Sequence, residues 1–223
     1  MLNIGIITTN TRKSLNFNDH ILLQINGKSI FHFHLQRLNK AGFPVFFFTD
    51  IENVNLKDIC KENNVEYFLS ENNSLENSLK QLCSTFKIET IVLVDSQSPL
   101  IDQHLIRNGV EKYLRFNNTR LVVSNCFEST FAKGFEFEIF SLELISLLIE
   151  DNNYRKPYNQ QSQLEYYLVK QGNNHHFLNI TVENAQNLKL IEQLITEFGA
   201  ADLPYNSIEE VLIKYPELNK TNT

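Results

Sequence analysis

Long apolar runs, paired cysteines and a surplus of basic charge are all missing from this sequence, and each absence closes a class of function. No apolar stretch approaches the ~20 residues that cross a bilayer, and the N-terminus lacks the basic start and apolar run of a leader, so a cytoplasmic protein is expected. The three cysteines, Cys60, Cys83 and Cys126, form no Cys-x-x-Cys pair, which reads as reduced thiols and argues against a sulfur-held metal. Lys and Arg number 20 against 26 Asp and Glu, a formal net charge of -6. Binding to nucleic acid or anionic membrane is driven by basic side chains that displace counterions, so neither is the expected main partner. Glycine is also absent from the first connection, "TTNTRKSLNFNDH" at 8 to 20, where an open α/β sheet usually wraps a phosphate in backbone amides. Any anion held there relies on side chains such as Arg12 and Lys13, which are otherwise an exposed basic pair.

What is present is a 223-residue chain of 42% hydrophobic content, enough for a core that needs no metal or disulfide. Runs rich in β-branched and aromatic residues fall at 2 to 8, 43 to 49, 65 to 70, 90 to 95 and 120 to 125. Helical spacing follows them, from a Ser29 N-cap and then at about 52 to 63, 74 to 86 and 102 to 116. This alternation predicts a mostly parallel sheet covered by helices on both faces. In the second half, 135 to 140 alternates like a strand and 141 to 150 reads as a helix. Residues 152 to 163 form a polar excursion, and the pattern then predicts a helix at about 163 to 171, a strand at 175 to 182 and helices from 185 and 207.

Open sheets of this kind bind ligands beyond the carboxyl ends of their strands. In "VDSQSPLID", Asp95 is either a hard oxygen ligand for Mg²⁺ or an ordinary strand end, and Asp102 is placed to cap a helix. His32 and His34 point to different helix faces, and His175 and His176 to opposite strand faces, so neither pair chelates one ion. Glu136 and Glu138 share one face of their strand, as metal or sugar-hydroxyl ligands or as the solvated face of an edge strand.

The order of these segments resembles the cytidylyltransferases of the spore-coat-polysaccharide type, relatives of the enzymes that activate KDO and sialic acids as CMP-sugars. The similarity runs over nearly the whole chain. "IITTNTRKSLNFNDHILLQINGKSIFHFHLQRL" is similar to a strand, a loop of the form Q-A-R-x-x-S-x-R-L-P-x-K, then "GK" and a helix. "IVLVDSQSPLID" resembles V-x-G-D-x-P-L-I-D, and "SNCFESTFAKGFEFEIF" resembles T-x-P-x-G-x-D-x-E-x-F. "NITVENAQNLKLIEQL" resembles L-T-V-D-T-x-E-D-L-x-L-I, and "SIEEVLIKYPELNKTN" the closing helix with its P-E-L. The resemblance implies a three-layer α/β/α, Rossmann-like fold of the nucleotide-diphospho-sugar-transferase kind, with 1 to 223 as one domain and a dimerisation or acceptor excursion around 135 to 180. It implies CTP and a sugar or sugar acid as partners, Mg²⁺ as cofactor, a homodimer, and a CMP-sugar destined for surface glycan as product. A family member that binds without turnover, or a glycosyltransferase with a related sheet, is the competing expectation.

Carried over position by position, the implied catalytic residues are Arg12, His20 and Lys28. The nucleotide would meet Thr8, Thr9, Asn10, Lys13, Ser14, Ser74, Asn77, Ser96 and Gln97. The acceptor would meet Asn125, Lys133, Glu136 and Glu138, and Asp95 and Glu183 would hold the metal. The sequence departs from the pattern where charge is expected. His20 stands for a lysine, Asn77 for an arginine, Gln97 for the strand-end aspartate, and Glu183 and Asn187 for later aspartates.

Overall fold

The computed structural model describes residues 3–9, 17–50, 52–70, 74–116, 118–149 and 164–218. Four parallel strands, β1 (Ile4–Thr9), β4 (Val45–Thr49), β5 (Glu66–Leu69) and β6 (Thr90–Asp95), form one half of a seven-stranded sheet. Its order is β5-β4-β1-β6-β8-β7-β9, where β7 is Leu121–Ser124, β8 Phe137–Ser141 and β9 Glu165–Leu168. β8 runs antiparallel to both of its neighbours, and β9 parallel to β7.

The alternation of side chains divides the core in two. Ile4 and Ile6 of β1, Val45 and Phe47 of β4, and Val92 and Val94 of β6 face one layer. Ile7, Phe46, Phe48, Ile91 and Leu93 face the other. The first layer is closed by α2 (Ile30–Asn39), α3 (Val54–Glu62), α5 (Gln103–Phe116), α7 (Ala185–Phe198) and α8 (Tyr205–Lys214). The second is closed by α4 (Leu75–Phe86) and α6 (Ile145–Leu148). Burial on both faces is why these strands read as continuous apolar runs, and it gives the expected three-layer α/β/α architecture.

Two short features precede α2 that the spacing does not predict: α1 (Phe17–Leu22) and a hairpin of β2 (Gln24–Ile25) and β3 (Lys28–Ser29). Asn26 and Gly27 turn that hairpin, both at positive φ (52° and 77°), the conformation its two-residue loop requires. Ser29 then caps α2, accepting from the His32 amide at 3.1 Å as the sequence indicates.

Other expectations are corrected. The helix read at 163 to 171 is strand β9, because Tyr166 and Tyr167 pack into opposite layers rather than along one stripe. The strand read at 175 to 182 is irregular chain that crosses the strand ends, with a single bridge between Asn179 and Lys133. The helix at 141 to 150 is a short 3-10 turn, Leu142–Leu144, followed by α6. The strand read from 135 begins at Phe137 and lies inside the sheet, so the solvated-edge reading of its carboxylates fails: Glu138 is 2% exposed. The excursion at 152 to 163 lies outside the described residues.

Candidate active site at the strand ends

β1 and β6 pair so that Thr9 stands opposite Asp95, and the Ser96 amide donates to the Thr9 carbonyl at 3.3 Å. The chain then turns through Ser96, Gln97 and Ser98 towards Pro99. His34, fully buried in α2, ties this turn to β1. Its Nδ1–H donates to the Ser98 carbonyl at 2.8 Å, so Nε2 accepts from the Thr8 hydroxyl, also at 2.8 Å. Burial drives the His34 pKa down to about 4, and the ring stays neutral near pH 7. The Thr8 hydroxyl is therefore engaged in holding the site together.

Beneath the turn lies Arg37, 2% exposed and missed from sequence. It donates to the carbonyls of Ile101, Ala200, Ala201 and Leu203 at 2.6 to 3.2 Å. Asp102 caps α5 as read, accepting from His104 and Leu105 amides, and its second oxygen accepts from Tyr205 N with Arg37 at 3.7 Å. A single arginine inside a helix stripe gives no sign of this role except that it shares the stripe with Phe33 and His34.

Above the turn, three buried polar atoms have no hydrogen-bond partner: Thr9 Oγ1, Ser96 Oγ and Gln97 Oε1. Folded proteins leave few such atoms, and each costs about 1–3 kcal/mol. Three lie together at the ends of β1 and β6, the edge at which open sheets of this kind bind ligands. Asp95 borders them, its Oδ1 accepting from the Gln97 amide at 2.9 Å. His20, on α1, also has a buried unpartnered Nδ1, while Lys28 is exposed on the hairpin. Ser74 caps α4, accepting from the Asn77 amide at 3.3 Å beyond β5, two strands from β1. Asn10, Arg12, Lys13 and Ser14 lie outside the described residues.

Across from the turn stands a wall built from 125 to 136 and 170 to 183. Asn125 is buried and closes its loop, donating to Phe135 O and accepting from Phe137 N, both at 2.8 Å. Gly134 sits at φ +110°, where a Cβ would also strike Ile180 at 2.7 Å. Lys133 reaches out to Glu183 at 2.7 Å, and Glu136 accepts from the Gly134 amide at 2.5 Å. Glu138 lies beneath, 3.4 Å from the Ser124 hydroxyl. A bond of 2.9 Å from Val182 N to Gln97 O joins the wall to the turn. The wall opens on a cleft of about 590 Å³ bordered by Glu128, Thr130, Lys133, Glu136, Lys170 and His176. Lys170 holds the Glu128 carboxyl below its usual range by hydrogen bond and charge.

Glu209 of α8, 1% exposed, braces this wall and is the second residue missed from sequence. It accepts from Ala132 N at 2.8 Å, His175 Nδ1 at 2.7 Å and Gln171 at 3.0 and 3.1 Å. The available signal is its spacing three before Leu212, on the apolar face of a helix.

No protein-family model and no curated protein matches the sequence. Among solved structures, a cytidylyltransferase from Leptospira borgpetersenii serovar Hardjo-bovis superposes with a TM-score of 0.88 at 25% identity, over 98% of this chain and 97% of that one. The chain is a member of the nucleotidyltransferase-like superfamily. The superfamily fold extends to a CMP-2-keto-3-deoxy-manno-octonic acid synthetase complexed with CTP (TM-score 0.57, 11% identity, 88% and 99% of the two chains). It extends also to the 4-diphosphocytidyl-2C-methyl-D-erythritol synthase of Anaerococcus prevotii (0.60, 12%, 87% and 98%). These two likenesses are of fold.

The Mg²⁺ implied for such a nucleotidyltransferase takes oxygen ligands, typically one or two carboxylates plus substrate phosphates. Of the three aligned aspartate positions Gln97 and Asn187 are neutral and Glu183 is bonded to Lys133, while Asp95, the carboxylate beside Gln97, accepts from the Gln97 amide. Among the described residues no three His, Cys, Asp or Glu side chains are grouped to hold an ion. The misfit to a divalent site lies in the engagement of the two carboxylates that remain, Asp95 with a backbone amide and Glu183 with an ammonium.

Proposed function

We propose that this chain is a CTP-dependent nucleotidyltransferase that activates a sugar or sugar acid as a CMP-sugar for surface glycan synthesis. The observation that carries the reading is the group of unpartnered buried atoms on Thr9, Ser96 and Gln97 at the ends of β1 and β6, on a fold shared over 98% of the chain with a cytidylyltransferase. The strand-end atoms take the nucleoside, with Asn10, Ser14, Ser74 and Asn77 around it. Arg12, Lys13, His20 and Lys28 flank the pyrophosphate, and the cleft of Lys133 and Glu136 takes the acceptor. An acceptor oxygen attacks the α-phosphorus, its proton leaves to solvent, and the bond to the β-phosphate oxygen breaks. The fully buried amide of Asn125 and the Glu138 carboxylate act from below, by holding the loop that presents Lys133.

Incubation with CTP and a panel of sugars and sugar acids, following pyrophosphate release, tests the reading. Release that depends on one acceptor supports it, and no release together with no calorimetric CTP binding sinks it. A second reading, a member that binds CTP without turnover, is favoured by Gln97 at the aspartate position. Binding without release selects it.

A further inference from the structure

We propose that the ammonium of Lys133, held by Glu183, takes the place of a carboxylate-bound divalent cation, so that CTP is bound by this chain without a protein-held metal. The proposal rests on the nucleotidyltransferase reading for its ligand. Its geometry rests on the ion pair itself.

Glu183 is the one aligned metal position that keeps a carboxylate, and that carboxylate meets Lys133 Nζ at 2.7 Å. The backbone that carries the ammonium is fixed on both sides: the Lys133 amide donates to Leu178 O and its carbonyl accepts from Ile180 N, both at 2.8 Å. The next residue, Gly134, is held in its positive-φ turn against Ile180. Glu183 follows Val182, which is bonded to Gln97 O, so the pair stands where the strand-end turn meets the cleft. That is the junction at which a nucleotide on one side would meet an acceptor on the other.

The Lys133 ammonium is matched one to one by the Glu183 carboxylate. With glutamine rather than aspartate at 97, the turn presents one negative charge fewer to incoming phosphates. Both partners keep partial solvent contact, Lys133 at 43% and Glu183 at 30% exposure, so the ammonium can exchange water for a phosphate oxygen without being stripped of its counter-charge.

The test combines two titrations. Free Mn²⁺, followed by its electron paramagnetic resonance signal, is titrated into the protein alone, and CTP binding is measured by calorimetry with EDTA and with Mg²⁺. The wild type is expected to leave the Mn²⁺ signal undiminished and to bind CTP within about twofold in both buffers. Lys133→Met is expected to weaken CTP binding in EDTA on the order of tenfold, the loss of one charge-assisted contact, with part of it restored by Mn²⁺. Glu183→Gln, which leaves the ammonium without its holder, is expected to weaken CTP binding less. Stoichiometric Mn²⁺ binding by the wild type, or a tenfold loss of CTP affinity in EDTA, overturns the proposal. If CTP binds under no condition, the nucleotidyltransferase reading falls, while the Mn²⁺ titration still decides whether Glu183 holds an ion.

Discussion

The two sides of the site are built on opposite principles. At the ends of β1 and β6, buried polar atoms of Thr9, Ser96 and Gln97 have no partner within the protein. In the facing wall, Lys133, Glu136, Lys170 and Glu209 are each paired at 2.5 to 3.1 Å. The first side has hydrogen-bonding capacity left over, whereas the second is already organised by its own ion pairs. On the proposed function, the strand-end side recognises its ligand by hydrogen bonds that the chain leaves unmade, and the wall side by charges already set in place.

The largest effect is expected beneath the strand ends. Arg37→Ala leaves four carbonyls without their buried donor and Asp102 without its buried counter-charge, and a loss of about 3–5 kcal/mol is expected in urea unfolding. Glu209→Ala is the matching change in the wall, where a loss of about 3 kcal/mol is expected in the same assay. An unchanged midpoint for Glu209→Ala would erase the claim that this wall is internally braced.

Protonation separates the two sides next. The folded His34 pKa of about 4 lies below the ordinary 6.5, so the unfolded chain binds the extra proton first. Stability is full above pH 6.5 and falls as pH drops towards 4, by about 3 kcal/mol in all. Urea unfolding of His34→Gln across that range is expected to lack this component of the slope. Ser96→Ala is expected to change stability least, within about 1 kcal/mol and in the stabilising direction, because it removes an unpartnered hydroxyl. The same variant should weaken CTP binding in calorimetry, which a purely structural hydroxyl would not do.

The parallel half of the fold was legible because strands buried on both faces announce themselves as apolar runs with caps between them, as at Ser29 and Asp102. The second half was not, because β9 carries an exposed glutamate and half-buried tyrosines and the chain at 175 to 182 is held by scattered bonds to Thr130, Lys133 and Gln97 rather than by a ladder. Of the site, the resemblance marked Thr9, Ser96, Gln97, Lys133 and Glu183 as positions. It could not show which of them are already engaged. Long-range partners such as Lys133 with Glu183, 50 residues apart, leave no local periodicity, and neither do Arg37 and Glu209.

The strand-end claim is tested most directly by a crystal structure with CTP bound. Polar atoms of the nucleotide are expected within hydrogen-bond distance of Thr9 Oγ1, Ser96 Oγ and Gln97 Oε1. A nucleotide bound elsewhere, with those three atoms satisfied by the chain itself, would contradict the account.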